Sequence, residues 1–175
     1  RAIARPEGPP DEMVVITSTD SPAREIRDLQ PGTRLACSDD PCVNTVGRIL
    51  LEPANLDDSN TVEHRRETYI QVARELLRGE ADIGFLPVEA FEGFSPLVRR
   101  DLRALVTSEL HLIRHVFLVG PAVAERTDEL TALLLSMHES DKGRGILEAL
   151  GARRLLPVQH EDVEFMIDII STLDQ

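Results

Sequence analysis

Between Met13 and Pro87 the chain repeats one pattern: a short apolar, β-branched run, a turn of small polar residues or proline, then an amphipathic stretch. Strands that alternate with helices cannot close as hairpins, so the pattern selects an α/β fold. Met13–Thr17 reads as the first strand. Ser21 ahead of Pro22 puts a capping oxygen before a residue fixed at a helical φ, which predicts a short helix over Ala23–Leu29, closed by Pro31 and Gly32. Thr33–Cys37 is the next strand, and the Ser38-Asp39-Asp40-Pro41 turn leads into a helix from about Asn44 to Leu51. A strand around Val62 precedes a helix over Thr68–Arg78, whose Ile70, Val72, Ala73, Leu76 and Leu77 recur at helical spacing. Gly79 ends that helix, and Asp82-Ile83-Gly84-Phe85-Leu86 has the continuous apolar character of a strand buried on both faces, ended by Pro87.

Beyond Pro96 the alternation stops. Two strands, Leu102–Thr107 and His115–Val119, stand close together, and helices are expected over Pro121–Met137, Gly143–Leu150 and Asp162–Leu173. The change of pattern predicts two lobes: a tail over residues 1–12, one α/β lobe over 13–105, and part of another over 106–175.

Charge narrows the partners. The 175 residues carry 31 acidic and 19 basic side chains, a formal net charge of −12. Nucleic acid is excluded as an expected partner, because neutralising phosphates requires clustered Lys and Arg. Apolar runs fall well short of the roughly 20 residues of a membrane span, so membrane association is at most peripheral. The chain starts at Arg1, and its compartment is not read from the N-terminus. Cys37 and Cys42 are the two cysteines; a small-loop disulfide, two inert thiols and a thiolate ligand pair all remain open.

The strongest chemical feature is Asp40-Pro41-Cys42-Val43-Asn44-Thr45-Val46-Gly47, where a strand passes into a helix. Unpaired amides and the positive end of the helix dipole converge at such a point and favour anions. Asn44 and Thr45 add side-chain donors, and Gly47 leaves room for close approach; an ordinary helix cap has the same composition. His111 and His115 would suit a metal on a helix, but on a strand they stand roughly 13 Å apart. Glu67, Glu75 and Glu80 read as a solvated helix face, and Asp82 as a carboxylate holding a loop by its backbone amides. No nucleophile elbow, zinc-protease helix or Cys–His pair occurs, and no cofactor is expected.

Read together, "VVITSTDSPAREIRDLQPGTRLACSDDPCVNTVGRILLEPANL", "TYIQVARELLRGEADIGFLPVEAF", "LRALVTSELHLIRHVFLVGP" and "SDKGRGILEALGARRLLPV" resemble the phosphate-, phosphite- and phosphonate-binding branch of the type 2 periplasmic solute-binding proteins. Ile26–Ala36 is similar to the family's Asp-Leu-x-Gly segment. Asn44-Thr45-Val46-Gly47 stands at its Ser-Thr-Ser-Gly helix start, and Gly79-Glu80-Ala81-Asp82 matches its Gly-x-Ala-Asp strand entry. The family's binding serines are replaced here, with Thr45 and Gly47 retained, and its additional first-lobe segment ahead of the crossover is not among these residues.

The resemblance implies a two-lobed α/β fold with an incomplete first lobe, located in the periplasm. It implies capture of a small anion in an interlobe cleft, for an ABC permease or a membrane sensor. The implied ligand-binding residues are Cys42, Val43, Asn44, Thr45, Val46 and Tyr69, with Thr19 and Ser108 beside hinges at Thr17–Asp20 and Val106–Glu109. Two alternatives share the architecture: the effector domain of a transcription regulator, and an enzyme drawing on Tyr69, His64 or Glu67.

Overall fold

The computed structural model describes residues 1–111, 114–159, 161, 163–164 and 166–168. Its contacts divide the chain into two units, Glu12–Leu110 on one side and Arg1–Asp11 with the chain from His111 onward on the other.

The Glu12–Leu110 unit contains β2 (Met13–Ser18), β3 (Arg34–Cys37), α1 (Pro41–Leu51), β4 (Val62–Arg65), α2 (Tyr69–Leu77), β5 (Ile83–Pro87), α3 (Val88–Glu92), α4 (Pro96–Arg99) and β6 (Leu102–Thr107). Its sheet has the order β4-β3-β5-β2-β6. β3 runs parallel to β4 and β5, joined to them through the crossovers that α1 and α2 provide, whereas β2 lies antiparallel to both β5 and β6. The outer strand β4 exposes Val62, Glu63 and Arg65, and this charge protects the edge.

Neighbouring residues on β5 face opposite sides of the sheet. A Cβ on Gly47 in α1 would stand 2.5 Å from the Phe85 ring, and one on Gly84 would stand 2.7 Å from Val72 of α2. The two glycines therefore let one helix settle on each face. Val14, Ile16, Val72, Leu76, Leu86, Phe91 and Phe94 form the core on the α2 side, to which the short helices α3 and α4, not foreseen from sequence, contribute.

The helix expected over Ala23–Leu29 shrinks to a 3₁₀ turn at Ile26–Asp28. Arg103 donates to the carbonyls of Ser21 and Ala23 at 3.1 and 2.6 Å, and Asp28 accepts from the amides of Arg24 and Glu25 at 2.7 and 3.0 Å. Groups that an α-helix would use for its own ladder are thus taken up by side chains.

Asp82 anchors the entry to β5. It accepts from the Arg34 amide at 2.8 Å and pairs with the Arg34 guanidinium at 2.6 Å. The side-chain hydrogen bonds from Arg34 hold its carboxyl below the usual carboxylate range, against an opposing effect of burial. A lowered folded-state pKa stabilises above the unfolded carboxylate range and is lost as pH falls through the folded value. Because both side chains are about 40% exposed, screening limits the effect to about 1 kcal/mol. Asp82→Asn should therefore lower urea stability by about that amount near pH 7 and by less at a pH below the usual carboxylate range. An equal loss at both pH values would show that charge is not the cause.

The other unit is built on β1 (Ala2–Pro6), β7 (Phe117–Leu118) and β8 (Leu155–Leu156), with α5 (Thr127–Leu135) and α6 (Asp141–Ala149). Residues 2–6, expected to lie in a tail, form the central strand, antiparallel to β7 and β8. Ala4 on β1 is fully buried with Leu147 and Leu155, a contact between distant segments that local sequence cannot announce. The single helix expected over Pro121–Met137 is a 3₁₀ segment with a non-helical Val123, then α5, then a 3₁₀ turn at Met137–Glu139. The start of α6 presses on the Met137 carbonyl so closely that a Cβ on Gly143 would lie 1.9 Å from it.

The expected division at 105/106 falls instead after Leu110, because β6 pairs with β2 along its whole length, from Ser18↔Leu102 to Val14↔Thr107. The helix expected over Asp162–Leu173 lies largely outside the described residues.

Candidate functional site

In the order β4-β3-β5, the connection leaving β3 runs to one side and the strand that returns from β4 crosses to the other, with α1 and α2 on opposite faces. The carboxyl ends of β3 and β5 therefore form a topological switch point, where open α/β sheets bind ligands. Ser38–Asp40 and the start of α1 lie there, as do Arg65–Tyr69 following β4 and Pro87–Val88 following β5. The antiparallel strands bring Glu12 and Ser108 to the same edge.

Asp40 organises this edge. As the N-cap of α1 it accepts on Oδ1 from the amides of Cys42 and Val43 at 3.0 and 3.2 Å, and its carbonyl accepts from the Asn44 amide at 3.1 Å. Oδ2 accepts from the Tyr69 hydroxyl, 3.0 Å away, at the first position of α2. One carboxylate thus joins the starts of two helices on opposite faces of the sheet. Burial pushes the Tyr69 phenol up, the Asp40 carboxylate adding to this against a hydrogen bond with Ser38, so the phenol stays a donor. The Asn44 side-chain amide donates to the Ser38 carbonyl at 2.7 Å, while its Oδ1 is buried with no hydrogen-bond partner among the described residues.

Behind Tyr69 lies a second ionic group. Glu75 is buried on α2, receives the Arg66 guanidinium on Oε1, and has His64 Nδ1 3.3 Å from Oε2. It ties the end of β4 to the second turn of α2, fixing the loop between them. Thr68 and Gln71 close that loop with a reciprocal capping box, which sets where α2, and with it Tyr69, begins.

The sequence-predicted residues divide. Asn44, Tyr69 and the amides of Cys42 and Val43 do meet at this edge, but α1 starts at Pro41 and not near Asn44, so these amides are already bonded to Asp40. Thr45 and Val46 lie inside the helix, and the Val43 and Val46 side chains are buried in the core. Gly47 makes room for Phe85 and not for a solute. Thr19 follows the other end of β2, about 20 Å along the strand from Met13, and its amide and hydroxyl both donate to the Asp101 carbonyl. The hinge expected at Thr17–Asp20 is misplaced for the same reason, since the chain enters this unit at Glu12.

Ser108 is buried at the chain's exit from the unit. It accepts from the Met13 amide at 2.9 Å and donates to Glu12, whose Oε2 also accepts from the Leu110 amide at 3.2 Å. Sequence reasoning missed Asp40, Glu12 and the Arg66–Glu75 pair. A readable signal existed for Asp40: an Asp directly before Pro marks N-cap and first helical position.

No disulfide joins Cys37 and Cys42; burial above all pushes the Cys37 thiol up to about 11, which keeps it unreactive near neutral pH. A hollow of about 550 Å³ lies at the opposite edge of the sheet, lined by residues including Arg24, Asp28, Thr33 and Asp82. Among the described residues no helix is long and apolar enough to cross a membrane.

The family described as "ABC transporter, phosphonate, periplasmic substrate-binding protein" matches residues 1–163. The chain belongs to this family. No curated protein matches the sequence. Similar solved structures include PhnD1 from Prochlorococcus marinus in complex with methylphosphonate, at 13% identity and TM-score 0.76, covering 99% of this chain and 71% of that one. A Xanthomonas citri protein bound to ATP shows 15% identity and TM-score 0.76, covering 98% of this chain and 71% of that one. The periplasmic aliphatic sulphonate binding protein SsuA of Escherichia coli shows 16% identity and TM-score 0.65, covering 99% and 62%. The α/β periplasmic-binding-protein fold implied by the sequence is thus the fold of this substrate-binding protein. The likeness spans about seven-tenths of the length of the first two structures.

Proposed function

We propose that this substrate-binding protein captures a small oxyanion of the phosphate or phosphonate class at the carboxyl edge of the five-stranded sheet, and hands it to a membrane permease in the periplasm. The observation that carries this reading is the meeting of two helix starts, α1 and α2, at a sheet switch point in a chain of this family. Tyr69 and the amides of Cys42 and Val43 supply donors, the amides once Asp40 turns aside, and Thr45 adds a hydroxyl one turn into α1. Binding is the whole activity: the buried carboxylate Glu75 is held by Arg66 and His64, and the nearby phenol stays protonated, an arrangement that supports recognition better than acid–base chemistry.

Thermal unfolding with phosphate, phosphite, methylphosphonate, sulfate and simple carboxylates tests this. A solute at about 100 times its dissociation constant stabilises by about 2.7 kcal/mol, a rise of several degrees. A phosphorus oxyanion should give that rise, and Tyr69→Phe should weaken its binding about tenfold, the loss of one hydrogen bond to a charged group, which about halves the stabilisation at the same concentration. If none of these anions raises the melting temperature at millimolar concentration, the reading fails.

A further inference from the structure

The start of α1 already holds an anion, namely the chain's own Asp40. Its carboxylate accepts from two amides and a phenol at 3.0–3.2 Å. These are the donors that a bound oxyanion would use, and they come from two separate helices. Each amide has one proton, and so does the Tyr69 hydroxyl; while Asp40 receives them, a solute cannot. An oxyanion arriving with Asp40 in place would also face the like charge of a carboxylate at contact distance. Asp39, exposed next in the chain, pairs with Arg65 at 3.0 Å, so that cation does not offset Asp40.

We propose that Asp40 is a specificity-determining residue: a resident carboxylate that competes with the solute for the amides of Cys42 and Val43 and for the Tyr69 hydroxyl, and so holds back oxyanion affinity. This rests on the binding reading above and adds to it what the solute must displace. The competition raises the threshold for every oxyanion at this edge, and it favours those able to replace all three hydrogen bonds at once. A three-oxygen head such as a phosphonate can do so; a small monodentate anion such as chloride cannot.

Neutral caps separate charge from structure. Asn keeps only a weaker, uncharged acceptor for these amides and Gly keeps none, yet both are good helix caps, so Asp40→Asn and Asp40→Gly should melt within a few degrees of the parent protein. Calorimetric titration with methylphosphonate and with inorganic phosphate should then show both variants binding at least tenfold more tightly than the parent. A purely structural cap would leave the dissociation constants unchanged. Affinities within twofold of the parent in both variants, with binding measurable, would overturn the role of Asp40 and leave the binding reading standing. Absence of binding in the parent and in both variants would remove the binding reading itself, and this inference with it.

Discussion

Phe85→Ala is expected to cost about 3–5 kcal/mol of folding stability, the range for emptying a buried aromatic site. Phe85 is 1% exposed on β5, flanked by β3 and β2, opposite Val15 and beneath Gly47. The Arg48 guanidinium lies 5.9 Å from the ring centroid and adds a cation–π contact from the rim. Neither the sheet nor α1 can collapse into the space without giving up strand pairing or the cap at Asp40. Equilibrium urea unfolding measures the loss; one below about 1 kcal/mol would mean that the ring does not organise the face between α1 and the sheet.

The second expectation is a change of sign. In an ordinary helix interior Gly→Ala stabilises by about 1 kcal/mol. Gly47→Ala should instead destabilise by about 2 kcal/mol, since the new methyl would stand 2.5–2.7 Å from three atoms of the Phe85 ring. In a Phe85→Ala background that obstruction disappears, and the same substitution should stabilise by about 1 kcal/mol. The double-mutant cycle thus predicts a coupling of about 3 kcal/mol. Additive effects would refute the contact as the reason for a glycine at this position.

These two residues show how much the sequence reveals. Gly47 stood out as a small residue beside a helix start, and from sequence its space was assigned to a solute; only the packing of α1 on β5 shows that a ring from 38 positions later fills it. Asp82 was legible as a carboxylate serving a backbone amide, but that amide belongs to Arg34 on β3, 48 residues away, and not to a local loop. Thr19 failed as a site residue for a topological reason: β2 is antiparallel to β5, so its end, and not its beginning, lies away from the carboxyl edge. Asp40 could have been read from the Asp-Pro pair as a cap, but its bond to Tyr69 joins residues 29 apart and needs both crossovers in place.

Apolar periodicity, proline and glycine punctuation and capping residues act over a few residues, and they determined β2 to β6, α1, α2 and membership of the α/β class. Which ends of those strands share an edge, that residues 2–6 become a central strand, and that a carboxylate occupies the start of α1 were decided by strand order and long-range packing, which no short window of sequence encodes.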